Sequence, residues 1–172
     1  MNIRHKSVRG KCLIGTAIMV ALTMIVFVPT MARADILAMG QNPNPVVYGD
    51  GAAHALPING GAPILNFTTT VPNQKVVVLF NAECSVKSAD IGSYVDAYVL
   101  IDGTPALPSG SNNAFCTSTG RNVLTRGVRA STNVIRIVPN PGVHNVRVTA
   151  ILRNFSGGEQ FRIDDISVIV LK

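Results

Sequence analysis

The chain has 172 residues, of which 47% are hydrophobic and 5% aromatic, with no Trp and a formal net charge of +6. This length suits a single domain, and the core of so aromatic-poor a chain must be built mainly from Val, Ile, Leu and Ala. A nucleic-acid partner is not expected, because the arginines are spread along the chain and form no basic patch with interleaved aromatic residues.

Residues 1–34 have the layout of an export signal. A basic head is followed by an apolar run over residues 12–28, and Ala32 and Ala34 then occupy the −3 and −1 positions of a cleavage site. An uncleaved membrane anchor is the alternative, since about 17 residues at about 1.5 Å each would span about 25 Å, slightly less than a bilayer core. We predict a secreted or periplasmic protein, cleaved after Ala34 and with no membrane span afterwards.

Cleavage would change both the charge and the cysteine count. Five of the 15 basic residues lie in the first 34, so the remainder carries ten against nine acidic residues, a balance of +1. Cys84 and Cys116 are then the two cysteines left, and in an oxidising compartment such a pair predicts one disulfide. Two cysteines without a neighbouring histidine supply too few ligands for zinc, and the sequence gives no sign of a cofactor.

The predicted elements after residue 34 are strands. Residues 35–61 are rich in Gly, Asn, Pro and Ala, with Val46–Tyr48 as a short apolar run, and predict an irregular leader or an edge strand. Alternating or β-branched segments predict strands over residues 62–71, 75–84, 93–102 and 122–130. Residues 75–84 are apolar on both faces for half their length, which is typical of a central strand. Residues 104–120 predict a long loop tied down by Cys116.

The last third of the chain has the clearest pattern. Residues 133–139 alternate, with Ile135 and Ile137 forming one wholly apolar face. The Pro-Asn-Pro-Gly sequence that ends at Gly142 predicts a hairpin turn. A strand over residues 144–153 follows, and the final strand places Ile166 and Val168 on one side. These short, hairpin-linked strands predict an all-β fold for residues 62–172, an antiparallel β-sandwich of jelly-roll type with one disulfide.

Two stretches carry a resemblance to known proteins: residues 138–148, VPNPGVHNVRV, and residues 161–170, FRIDDISVIV. They resemble the closing strands of small secreted jelly-roll domains, which have a Pro-Gly turn, a His-x-Val-x-Val strand and a final strand of Ile-Asp-Asp-x-Ser type. The resemblance covers about the last 40 residues. It supports the fold and implies no catalytic residues.

Candidate chemistry is sparse. The histidines after residue 34 are His54, in the leader, and His144, which we interpret as a ring capping the end of the core. Without a Gly-x-Ser-x-Gly elbow, a serine or cysteine hydrolase is not indicated. Asp164 and Asp165 are adjacent and should face opposite ways in a strand, which argues against a shared glycosidase site. Asp90, Asp102 and Asp164 are the candidates for calcium binding, although solvated turn aspartates explain them more simply.

Tyr94 and Tyr98 lie on the polar-facing side of their predicted strand, with Asp96 between them. Aromatic rings beside an acid are used by sugar-binding faces, through stacking and polar contacts to hydroxyl groups. Burial under another sheet or a second subunit would produce the same pattern. Tyr94, Asp96 and Tyr98 are therefore the predicted ligand-binding residues.

The sequence thus predicts an exported, non-enzymatic β-sandwich that acts by surface binding or assembly, with a glycan or a cell-surface protein as partner. One alternative is a carbohydrate-binding module that uses the Tyr94 face. The other is a pilus-type or cell-surface structural subunit completed by a partner's strand. The sequence does not determine the oligomeric state.

Overall fold

A computed structural model describes residues 34–109, 114–125 and 127–172. The predicted export signal lies, except for its last residue, outside this part of the chain. None of the described residues forms a helix that could cross a bilayer. The strands of the described part are β1 (Ile36–Asn42), β2 (Val46–Tyr48), β3 (Ala53–Ala55), β4 (Leu65–Thr69), β5 (Gln74–Lys87), β6 (Tyr94–Ile101), β7 (Thr104–Pro105), β8 (Ala114–Thr117), β9 (Val128–Val138), β10 (Gly142–Arg153) and β11 (Gln160–Leu171).

The strands form two sheets in which every pairing is antiparallel. Sheet 1 has the order β1-β11-β5-β9 with β2 also on β11, and sheet 2 has the order β3-β10-β6-β7 with β4 on β10 and β8 on β6. Without the short strands β2, β3 and β7, the orders are β1-β11-β5-β9 and β4-β10-β6-β8. In both sheets a strand from the start of the chain lies next to one from its end: β1 next to β11, and β4 next to β10. This arrangement is typical of a jelly roll. The predicted antiparallel jelly-roll β-sandwich is confirmed.

The core lies between the two sheets and follows from the alternation of each strand. Val76, Val78 and Phe80 of β5 point inward from sheet 1, and Val146 and Val148 of β10 point inward from sheet 2; all five are fully buried. Burial of each such side chain contributes about 1.5–3 kcal/mol relative to exposure. As expected from the composition, most of the buried apolar residues are Val, Ile, Leu and Ala.

Two stretches are more regular than the sequence indicates. The expected irregular leader, residues 35–61, contains β1, β2 and β3, and β1 pairs with the last strand, β11, over almost its whole length. Pairing with a strand more than a hundred residues away compensates for the weak local preference for β-structure. Sequence propensity cannot detect such long-range pairing. The expected loop over residues 104–120 likewise contains β7 and β8, which pair with β6.

The hairpin between β9 and β10 forms at the predicted turn, where Gly142 has a φ of 140°. The predicted strand over residues 122–130 is mostly outside β9, which begins at Val128. Within β9 the face that carries Val134, Arg136 and Val138 points inward, since both valines are buried. Ile135 and Ile137, on the other face, are exposed. The wholly apolar face of this strand is therefore on the outside of the molecule.

One covalent link joins the sheets in the described part of the chain. Cys84 of β5 and Cys116 of β8 form a disulfide, with their Cα atoms 5.9 Å apart. Both cysteines are buried in the core. The predicted disulfide is confirmed, and it connects sheet 1 to sheet 2.

Candidate functional site

A groove of about 520 Å³ lies on the outer face of sheet 1. Its polar side chains come from three neighbouring strands: β5, β9 and β11. We call this feature the polar groove and define it by its six polar lining residues, which are Asn81, Glu83, Arg129, Ser131, Asp165 and Ser167.

Strand register places these side chains together. Asn81 of β5 lies opposite Ser131 of β9 on one side and Ser167 of β11 on the other, so the three form one row across the sheet. Glu83, two residues further along β5, lies opposite Arg129. Because residues two apart in a strand share a face, the second row continues the groove on the same side of the sheet.

A β-bulge in β11 places Asp165 in the groove. The pairing of β11 with β5 shifts register between Asp164 and Ser167, and Asp165 has a φ of 47°. Its backbone N–H donates to the Asp164 carboxylate at 2.9 Å, and Asp164 also accepts a hydrogen bond from Arg162. A bulge re-aims side chains locally, so strict alternation, which the sequence analysis assumed for Asp164 and Asp165, does not hold here.

The groove carries both signs of charge and several neutral hydrogen-bonding groups. Arg129 Nε lies 3.6 Å from Glu83 Oε1, and the Arg129 side chain is 87% exposed while that of Glu83 is nearly buried. An ion pair with so exposed a partner contributes little to stability, at most about 1 kcal/mol. The guanidinium group is therefore available to an incoming ligand.

The three predicted ligand-binding residues lie on the outer face of sheet 2, opposite the polar groove. Tyr94 and Tyr98 are half-buried, and Asp96 is 1% exposed. Tyr98 Oη donates to Asp96 Oδ2 at 3.0 Å, and Arg153 Nε donates to the same oxygen at 2.8 Å. The hydrogen bond to Asp96, followed by the one to Tyr98, raises the pKa of Arg153. Asp96 thus accepts hydrogen bonds from two neighbouring side chains of the same sheet, and its role in ligand binding remains a prediction.

His144 lies at one end of the sandwich, away from the polar groove. Its Nδ1 is 2.7 Å from Asp102 Oδ2, and its Nε2 is 3.1 Å from Thr69 Oγ1 and 3.0 Å from the Asn140 carbonyl. The ring also packs against Phe67, with centroids 5.5 Å apart. Thr69 is buried and donates its own hydrogen bond to Asn140. This arrangement ties the β9–β10 hairpin to neighbouring strands and leaves the hydroxyl of Thr69 inaccessible to a substrate.

The three aspartates considered for calcium lie apart and have protein partners. Asp90 accepts a hydrogen bond from the Gly92 N–H at 2.8 Å, Asp102 binds His144, and Asp164 binds Arg162. In the part of the chain that the structure describes, no three His, Cys, Asp or Glu side chains are placed to share a metal ion. His54 binds Asp50 and stacks on Tyr48 at 4.0 Å between centroids.

A turn before β11 is organised by one nearly buried carboxylate, Glu159. It accepts hydrogen bonds from the Ser156 hydroxyl, from the Ser156 N–H at 3.2 Å and from the Gly157 N–H at 2.7 Å. These bonds favour the ionised form, with the Ser156 hydroxyl making the largest contribution, and they lower the pKa of Glu159.

Sequence analysis missed the polar groove, although its signal is present. In β5 the outward positions change from Val77 and Leu79 to Asn81 and Glu83, while the inward positions stay apolar throughout. Such a change along one face marks a polar surface. That Ser131 and Ser167 complete it depends on sheet register, which the sequence does not provide.

Fold and groove together define an antiparallel jelly-roll β-sandwich with a polar groove across one outer face. No family model matches the chain, and no curated protein matches it.

Among solved structures, the chain is similar to a family 35 carbohydrate binding module from Clostridium thermocellum, with 14% identity, 80% of this chain and 98% of that chain covered, and a TM-score of 0.32. It is also similar to CBM35 from Paenibacillus barcinonensis, with 16% identity, 79% and 97% covered, and a TM-score of 0.31. A third similar structure is the K3 cleaved adhesin domain of Lys-gingipain from Porphyromonas gingivalis W83, with 13% identity, 80% and 99% covered, and a TM-score of 0.33. These are distant likenesses, and they assign no function to this chain.

Proposed function

We propose that the chain is an exported, non-enzymatic binding module whose ligand occupies the polar groove, and that this ligand is a hydroxyl-rich molecule such as a glycan. The observation that supports the proposal is the convergence of six polar side chains from three adjacent strands in a groove of about 520 Å³. Small-molecule sites typically have volumes of about 300–1,000 Å³.

The side chains of the groove match the hydrogen-bonding needs of a sugar. A sugar hydroxyl both donates and accepts, and so do the hydroxyls of Ser131 and Ser167 and the amide of Asn81. Arg129 adds a charged donor and Asp165 a charged acceptor. The polar groove, as described, contains no aromatic ring, so hydrogen bonds would carry recognition. At about 0.5–1.5 kcal/mol net for each bond, the loss of one bond should weaken binding by about 2- to 13-fold.

Export is the second part of the proposal. A disulfide persists in secreted and periplasmic compartments and is rare in the cytosol, and Cys84–Cys116 is buried in the core. Together with the predicted signal in residues 1–34, the disulfide supports a function outside the cytoplasm.

The test is a glycan array followed by calorimetric titration of the best saccharide. We expect Asn81→Ala and Asp165→Ala each to weaken binding by about tenfold, equivalent to about 1.4 kcal/mol. Thr149→Ala is the control, since Thr149 lies on the outer face of sheet 2, and it should leave the affinity unchanged. A blank array, or equal losses in all three variants, would contradict the proposal.

The Tyr94 face is the second candidate for the ligand. Tyr94 and Tyr98 are half-buried on this face and flank Asp96, and aromatic rings can stack on a sugar ring. If Tyr94→Ala abolishes binding of the array saccharide and Asn81→Ala does not, this face is the binding site.

Catalysis by the groove is the remaining alternative, because Glu83 and Asp165 both line it and glycosidases use two carboxyl groups. A binding module should release the bound saccharide intact after prolonged incubation. Cleavage products that appear with the wild type and disappear with Glu83→Gln would instead show an enzyme.

A further inference from the structure

The carboxylate of Asp165, in the polar groove, differs from the other acidic side chains of the protein. Every other Asp or Glu accepts a hydrogen bond from, or forms an ion pair with, another residue that the structure describes. Among the described residues, the side chain of Asp165 has no such partner, and it is exposed to solvent. A charged acceptor in the groove is therefore left to a ligand.

Two arginines near the bulge in β11 serve other carboxylates. Arg162 donates to Asp164, and Arg129 lies beside Glu83. Arg129 is on β9 and Asp165 on β11, with β5 between them. At about 4.8 Å per strand, their backbones are about 10 Å apart. The polar groove is thus cationic toward β9 and anionic toward β11.

The backbone of β11 holds Asp165 in this position. The described residues other than glycine that have a positive φ are Asn73, Asp102, Asn154 and Asp165. The first three lie between strands, whereas Asp165, with a φ of 47°, lies inside a strand. Turns often require a positive φ but regular strands do not, and bulges re-aim side chains next to functional sites. The bulge therefore presents the carboxylate to the groove.

Two neutral acceptors accompany this carboxylate. Asn81 and Ser167 lie opposite each other in the row next to the bulge, and both line the polar groove. A protonated primary amine has three donors and no acceptor. The Asp165 carboxylate, the Ser167 hydroxyl oxygen and the Asn81 amide oxygen together offer one acceptor for each of these donors.

We propose that the saccharide bound in the polar groove carries a protonated amino group, as a glucosamine unit does, and that this group binds at Asp165. This selectivity rests on the proposed function, because it concerns the same groove. A neutral sugar leaves the charge of Asp165 without a counter-charge. A sugar carboxylate would be repelled by the carboxylates of Asp165 and Glu83.

The preference is local and does not come from the charge of the whole chain. Residues 35–172 have ten basic and nine acidic residues, a formal balance of +1, so the chain does not attract cations in general. An exposed ion pair changes an equilibrium constant by up to about fivefold, and a charge-assisted hydrogen bond by more than about tenfold. Because Asp165 is exposed, we expect about a fivefold preference for the amine.

The test is calorimetric titration of the full chain, expressed with its own N-terminal segment and purified from the extracytoplasmic fraction. The probes are β-1,4-linked tetramers of glucosamine, N-acetylglucosamine and glucose, which differ in one substituent of each ring, and a tetramer of galacturonic acid. At about pH 6, aliphatic amines are protonated and ordinary carboxyl groups are ionised. The glucosamine tetramer should bind about fivefold more tightly than the two neutral tetramers. Raising the salt concentration from about 0.01 M to about 1 M should remove most of this preference.

Two variants separate the charge of Asp165 from its shape. Asp165→Asn keeps the size of the side chain, and Asn tolerates a positive φ as Asp does. It should abolish the preference for the amine and leave the affinity for the glucose tetramer within about twofold of the wild type. Asp90→Asn is the matched control, because it removes the same charge from an exposed loop between β5 and β6, and it should retain the preference.

The outcomes distinguish this selectivity from the proposed function. Equal affinity of the wild type for the glucosamine and glucose tetramers would overturn the selectivity and leave a groove that binds saccharides. Tightest binding of the galacturonic acid tetramer would also overturn it and would assign recognition to Arg129. A preference for the glucosamine tetramer that survives in Asp165→Asn would place the amine elsewhere. If none of the four tetramers binds and the glycan array is blank, the proposed function itself fails.

Discussion

Reduction of the Cys84–Cys116 disulfide should lower the free energy of unfolding by a calculable amount. The two cysteines are separated by 32 positions, and closing a loop of that length removes about 12.5 cal/mol/K of entropy from the unfolded chain. At 25 °C this corresponds to about 3.7 kcal/mol. The link also joins β5 of sheet 1 to β8 of sheet 2, so its loss should weaken the contact between the layers.

The expected shift in thermal midpoint follows from the same number. An unfolding entropy of about 2.1 cal/mol/K per residue gives about 0.29 kcal/mol/K for roughly 140 residues, so the midpoint should fall by about 13 °C. The measurement is urea and thermal unfolding followed by circular dichroism, with and without a thiol reductant. The double variant Cys84→Ala with Cys116→Ala serves as the control, because the reductant should not change its stability. A loss below about 1 kcal/mol on reduction would refute the reasoning.

Three further predictions concern stability and use the same urea assay. Arg153→Met should lower the free energy of unfolding by about 2–3 kcal/mol, because it leaves the buried carboxylate of Asp96 without its cation. A variant within about 0.5 kcal/mol of the wild type would show that the pair contributes little. Gly40→Ala should lower the free energy of unfolding by about 1–3 kcal/mol, since the new Cβ would lie 2.6 Å from a backbone carbonyl oxygen. Gly49→Ala is the control and should be neutral, because the nearest atom to its Cβ would be 3.5 Å away. Equal effects of the two substitutions would contradict the prediction. The lowered pKa of Glu159 means that its ionised form stabilises the fold above the ordinary glutamate pKa of about 4.3 and that this contribution is lost as the pH falls through the lower folded value. Glu159→Gln should therefore flatten the dependence of stability on pH below about 4.3, and an unchanged slope would count against the turn described here.

Local alternation was sufficient to predict the strands of the last third of the chain. Pro139, Pro141 and Gly142 fix the backbone of the turn locally, and the strands on either side alternate without interruption. The disulfide was equally predictable, because Cys84 and Cys116 are the two cysteines after residue 34. In each case the determining residues are close in sequence or few in number.

Properties that depend on sheet register could not be predicted. Alternation separates the faces of β9 but does not say which one is inward, so the exposure of Ile135 and Ile137 is visible only in the structure. The bulge at Asp165 breaks alternation through a local backbone conformation that Asp tolerates. The row formed by Asn81, Ser131 and Ser167 joins residues from three distant parts of the chain.

The most direct test of the proposed function is chemical-shift mapping by NMR with the saccharide that binds best. If the polar groove is the binding site, the largest perturbations should fall on the amides of Asn81, Ser131 and Ser167, with little change at Tyr94 and Tyr98. Perturbations centred on the two tyrosines, or spread evenly over both sheets, would contradict the assignment of ligand binding to the outer face of sheet 1.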